Sequence, residues 1–250
     1  MRGLGVSGSV MCRGDAGGVV AWNRVGAAVI DCYNTGLVTG KNSYVGGVVG
    51  ANDGEIIGCY NAGAVNAGDD GAGGVAGINS GTVRNSYNTG EIKGNRSVGG
   101  VVGIDSDHYD GAISGCYNTG TVEGEYYVGG VVGENRAIAS DCYNTGTVSG
   151  GSGVGGVAGS NSGKGEVIES YNIGSIDGEQ DVGGVVGSND GTVTNCYYNN
   201  EVYTAEDTTV GVTGIGAAEF ADEEKFTGAG WDFTETWIMD EWLARPVLQD

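Results

Sequence analysis

Two short words recur along this chain at a nearly fixed interval. Double glycines begin at Gly17, Gly46, Gly73, Gly99, Gly129, Gly155 and Gly183, in steps of 29, 27, 26, 30, 26 and 28 residues. A second column of tyrosines, most of them in a "YN" pair, stands at Tyr33, Tyr60, Tyr87, Tyr117, Tyr143, Tyr171 and Tyr197, in steps of 27, 27, 30, 26, 28 and 26. Two independent columns of seven matches define a supersecondary unit that is copied because each copy packs on the last. The distance from a tyrosine to the next double glycine is always 12 or 13, whereas the return distance stretches from 14 to 18. Extra length therefore falls in one arc of each unit, as in "DSDHYDGA" (Asp105 to Ala112) and "NSGKGE" (Asn161 to Glu166). Insertions confined to one place mark a surface loop on one edge of a stack.

The interval selects the architecture. A propeller blade needs about 40 residues, and a leucine-rich repeat needs its leucine ladder. Helical repeats need helix formers, and Gly 53 opposes them. Glycine at every third position is absent and there is Pro 1, which excludes collagen. What remains is three short strands per unit: "VGGVVG", a stretch running from "GTV" to "CYN", and "GTVEG". The expected fold is all-β, a right-handed parallel β-solenoid (β-helix) of about seven coils of 26–30 residues with a small C-terminal cap. Handedness comes from the crossover rule, and seven coils make a rod on the order of 34 Å long. The solenoid is assigned to residues 1–203 and opens inside a repeat, because "GVSG" (Gly5 to Gly8) matches the later "GTVSG". That reads as a piece of a longer polypeptide. Residues 204–250 form a Trp-rich capping segment, in which Trp231, Trp237, Trp242, Val247 and Leu248 are expected to cover the open solenoid end.

Stacking gives each column a role. Val48, Val75, Val101, Val131, Val157 and Val185 form an inward aliphatic column. Asn23, Asn52, Asn79, Asn135, Asn161 and Asn189, with Asp105 in the fourth coil, suit a ladder of side-chain amides. Cys32, Cys59, Cys116, Cys142 and Cys196 share a column with Ser86 and Ser170, while Cys12 lies outside it. Exchange of cysteine for serine indicates a small inward site. The column has no pairing pattern and no metal-ligand spacing, so free buried thiols are expected, with no metal and no cofactor.

The formal net charge of -21 argues against nucleic acid and anionic membranes as partners. No apolar run is long enough for membrane insertion, and Met1 leads into "RGLGVSGSV" without the apolar core of a signal peptide. The seven tyrosines are the candidate ligand-binding residues. Facing out, Tyr33, Tyr60, Tyr87, Tyr117, Tyr143, Tyr171 and Tyr197 would make an aromatic stripe able to contact sugar rings. The neighbouring cysteine places tyrosine outside, but parity with Ile113 places Tyr117 inside, and the two readings stand open. Catalytic constellations are poor: His108 is the sole histidine. Asp105, Asp107 and Asp110 beside it are the only reasonable acid group, and Lys41, Lys93, Lys164, Arg84, Arg96 and Arg136 share no column with them. No catalytic residue is assigned and the chain is read as a non-enzyme.

The units, written "GGVVG…N.G.I..CYNTG.V.G", resemble the GLUG motif, with "GVVG" or "GVAG" carrying valine where the motif has leucine. The resemblance runs over about residues 5 to 203, and the tail's "WDFTETW" and "RPVL" also look like the segment that closes such arrays. It implies a bacterial secreted or cell-surface protein, extracellular, of which this chain is a part without signal or wall anchor. The implied job is a structural, adhesin-like scaffold or stalk, touching glycans or host surface proteins. The alternative is a polysaccharide-acting β-helix enzyme, a lyase or hydrolase. The resemblance carries over no catalytic residue.

Overall fold

The computed structural model describes residues 1–41, 44–109 and 111–249. The chain winds into a parallel β-solenoid in which each coil feeds four sheets, one more side than the three expected. One coil shows the path. Tyr33–Asn34 lies on the first side, Val38–Gly40 and Val45–Gly46 on the second, Val49–Asn52 on the third and Glu55–Ile57 on the fourth. We call these the tyrosine, long, asparagine and isoleucine faces. Coils pair in register, so Tyr60 stacks on Tyr33, Val65 on Val38, Gly73 on Gly46 and Asn79 on Asn52.

The fourth side comes from two corners that read as continuous strand in the sequence. The residue before each cysteine or serine of the Cys column has a left-handed backbone. These are Asp31, Gly58, Asn85, Gly115, Asp141, Glu169 and Asn195, with φ between 45 and 61°. A left-handed residue costs an ordinary side chain roughly 1–2 kcal/mol, which is why glycine, asparagine and aspartate fill six of the seven places. The corner cuts the stretch from "GTV" to "CYN" into an isoleucine-face strand and a tyrosine-face strand. The double glycine makes the other corner. A Cβ on Gly99 would collide with the Val102 carbonyl, and one on Gly100 with the Gly130 carbonyl and the Asn118 side chain.

Val48, Val75, Val101, Val131, Val157 and Val185 are fully buried in the main core cluster with the Cys column. A second cluster, holding Val38, Val65, Ile92, Val122 and Val148, fills the bend of the long face. Burying each such valine stabilises the fold by about 1.5–3 kcal/mol relative to exposure. The variable loops all lie between the asparagine and isoleucine faces, for instance between Val102–Asp105 and Ala112–Ser114.

The C-terminal end departs from expectation. Cys196–Asn199 and then Val212–Ile215 extend the tyrosine-face sheet. Tyr198 stands where other coils carry asparagine and joins the core. The Tyr203 hydroxyl donates to the Val182 carbonyl at 2.8 Å, and Asp207 accepts from the Val185 amide at 3.3 Å. These residues cover the last coil. The tryptophans do not: Trp231 and Trp237 lie against the tyrosine face, and Trp242 is 97% exposed. With the end covered by Tyr198 and Tyr203, the tail packs instead on the flank that Tyr143, Tyr171 and Tyr197 present. There the tail forms short helices, Ala217–Ala221 and Glu223–Gly228, and an antiparallel hairpin of Trp237–Asp240 with Arg245–Leu248.

Candidate functional site: the tyrosine face

The left-handed corner resets the strand alternation, so Cys116 points in, Tyr117 out and Asn118 in. The cysteines and asparagines of this face are fully buried, whereas Tyr33 is 36% exposed and Tyr60, Tyr87 and Tyr117 are half-buried. Parity with Ile113 fails because it was counted across the corner. From Tyr33 to Tyr171 neighbouring rings stack nearly parallel, with centroids 4.8–5.2 Å apart and interplanar angles of 1–6°. That spacing is the distance between parallel strands. Each ring therefore covers the faces of its neighbours, and the stripe presents ring edges and hydroxyls rather than open faces.

The stripe is divided. Tyr143, Tyr171 and Tyr197 are buried under the tail with Phe220, Phe226, Trp231 and Trp237. Trp237 sits 6.3 Å from Tyr143 and 6.0 Å from Tyr171, and Phe226 meets Tyr197 edge-on at 5.0 Å. Two corner residues anchor it: the Trp231 indole donates to the Asn195 carbonyl at 3.0 Å and the Trp237 indole to Asp141 at 3.2 Å. Arg245 lies 5.2 Å over the Tyr143 ring and donates to the Tyr171 oxygen at 3.0 Å, while that hydroxyl donates to the Pro246 carbonyl. Burial pushes the Tyr143 hydroxyl up and the Tyr171 hydroxyl well up, with Arg245 opposing in both, so both stay neutral phenols. Where the tail ends, Leu248 and Gln249 border a cavity of about 310 Å³ with Asn85, Tyr87, Tyr117 and Tyr143.

Beneath the tyrosines runs an amide ladder that the sequence reading missed. Asn34, Asn61, Asn88, Asn118 and Asn144 each donate Nδ2 to Oδ1 of the next coil's asparagine at 2.8 Å, ending on Asn172. Each also closes a turn: Asn118 donates to the Gly120 carbonyl at 2.9 Å and accepts from the Gly120 amide at 3.1 Å. The recurring "N" of "YN", always two residues before glycine, was the signal. The expected second ladder exists too, from Asn23 through Asn52 and Asn79 to Asp105, and again from Asn135 through Asn161 to Asn189. The Cys column holds free buried thiols, and Cys12 is exposed. Cys116, Cys142, Ser86 and Ser170 all donate to the carbonyl two residues back, at 2.8–3.2 Å. Cysteine and serine exchange there because both can donate.

The acidic loop does not assemble. Asp105 is buried in the ladder, while Asp107 reaches out to Lys164 at 3.7 Å. His108 is exposed and packs on Tyr109, with ring centroids 4.2 Å apart; Asp110 lies outside the described residues. Arg96 and Arg136, which share no sequence column, line one cavity. Bordered also by Asp70, Tyr44 and Glu134, it measures about 410 Å³ and lies on the corner between the long and asparagine faces. Glu134 is held by Arg136 at 2.7 Å.

Residues 41–66 and 124–149 match the GLUG motif, so the chain carries GLUG repeats wound as a parallel β-solenoid. Among solved structures, that of a "putative immunoglobulin A1 protease" from Bacteroides ovatus is similar over 99% of this chain and 86% of that one. The TM-score is 0.63 and the identity 21%, a likeness of fold. Among curated proteins there is no match.

Proposed function

We propose that this chain is a repeat scaffold, a stalk or display section of a bacterial surface or secreted protein. In this reading the open half of its tyrosine stripe contacts a glycan or a host surface protein. One observation carries it: most of the recurring residues are consumed by coil-to-coil stacking, leaving Tyr33, Tyr60, Tyr87 and Tyr117 as the repeated aromatic side chains that reach the surface. The GLUG matches support an extracellular setting. Because stacked rings hide their faces, the contact runs through phenol edges and hydroxyls, which suits hydrogen bonding to a polar chain.

Nitration of the native protein, mapped by mass spectrometry, is expected to modify these four tyrosines and spare Tyr143, Tyr171 and Tyr197 until unfolding. Replacing all four by phenylalanine keeps the stack and removes the hydroxyls. Binding to glycan arrays or host surface proteins should then be lost while the melting temperature holds. Unchanged binding of the phenylalanine variant would overturn the tyrosine contact, and turnover of a polysaccharide by the wild type would overturn the scaffold.

A further inference from the structure

The ladder of the asparagine face has one break, and it lies where aspartate replaces asparagine. Asp105 Oδ1 accepts from Asn79 Nδ2 at 2.7 Å, as any asparagine in the column would. Its other oxygen occupies the place of the amide nitrogen that should donate to the next coil. Asp105 pairs in register with Asn135. Asp105 Oδ2 and Asn135 Oδ1 are the two buried side-chain atoms, among the described residues, that have no hydrogen-bond partner. Two acceptors that succeed one another in a stacked ladder, both shut away from water, are each costly to leave unmet. A single proton satisfies both.

We propose that Asp105 is a neutral carboxylic acid in the folded protein and that its Oδ2–H donates to Asn135 Oδ1, carrying the ladder across the seam between the fourth and fifth coils. The proton is taken from solvent on folding, and no other bond changes. The surroundings agree. Along the ladder Asp105 meets the amides of Asn79 and Asn135. Across the core it feels Cys116 and Cys142, whose thiols burial holds protonated, Cys116 up to about 12 and Cys142 well above its usual value. Among the described residues no cation acts on it: burial pushes its carboxyl up to about 8, against the hydrogen bond from Asn79, which lowers it. Asp107 and His108 on the adjoining loop, and Lys164 on the loop two coils on, are exposed.

The substitution also fits the loop after it. In the coils without an insertion the asparagine donates to the carbonyl two residues on, as Asn52 does to Gly54 and Asn79 to Gly81, whereas Asn23 and Asn161, which also precede insertions, do not. A carboxyl whose one proton is committed to Asn135 cannot close that turn, and the longest insertion of the chain leaves the stack at this residue.

The raised carboxyl sets the sign of the pH dependence. The unfolded group titrates near 3.9, and the folded one lies higher, so the native state holds the extra proton between those values. The stability it contributes is full below the unfolded value and is lost as pH rises through the folded one. Carbon-13 NMR of aspartate-labelled protein tests this directly. One carboxyl should keep its protonated shift at pH 7, titrate near pH 8, and vanish in Asp105→Asn. No protonated aspartate at pH 7, which needs no variant to see, overturns the proposal. Independently, the unfolding constant of wild type should rise relative to Asp105→Asn by about tenfold per pH unit between pH 5 and 7. Parallel profiles would overturn it as well.

Discussion

At the scale of single residues, the fold rests on polar side chains placed where a hydrophobic core would normally exclude them. Asn118 is fully buried yet has every donor and acceptor engaged, by Asn88, Asn144 and the two backbone groups of Gly120. Such a network is worth more than its pairs, and leaving its members unpaired costs about 1–3 kcal/mol each. Asn118→Ala is therefore expected to destabilise by about 3 kcal/mol or more. Asn189→Ala, at the exposed end of the other ladder, should lose only about 1 kcal/mol. Urea titrations of both variants check this, and equal losses would remove the cooperative reading of the ladder.

At the scale of the element, the corner before the Cys column is one of the two that decide the number of faces. Glu169 is its uncomfortable member, with φ 45° and a side chain that gains nothing from the left-handed region. Glu169→Gly should stabilise by about 0.5–1 kcal/mol and Glu169→Ala should not, as read from thermal melts. A melt that responds equally to both would show that backbone strain is not what the site stores. This corner also marks the limit of the sequence reading. The period, the valine column, the cysteine column and the edge that takes insertions were legible because stacking repeats them. The corner was not, because Asp, Gly, Asn, Gly, Asp, Glu and Asn look like free variation until their shared tolerance of positive φ is noticed. With the corner at the double glycine, that omission gave three faces instead of four, and by itself it left the direction of tyrosine open.

At the scale of the whole molecule, the tail could not be placed from sequence. Trp231, Trp237 and Trp242 look alike in a chain, and only the closed end and the tyrosine flank distinguish them. Trp237→Ala should open Tyr143 and Tyr171 to nitration severalfold, while Trp242→Ala, at a 97% exposed position, should change neither. Protection that survives Trp237→Ala would mean the tail is held by Trp231 and Arg245 instead. The two amide ladders carry a further consequence. In both, each asparagine gives its N–H to the next coil and turns its carbonyl oxygen to the preceding one. The rod is thus a column of aligned dipoles with distinct poles. A coil of this type can join it in one sense alone, since a reversed arrival would set oxygen against oxygen at one pole and N–H against N–H at the other. The chain contains the first of these collisions once, between Asp105 and Asn135, and there only a proton can lie between them.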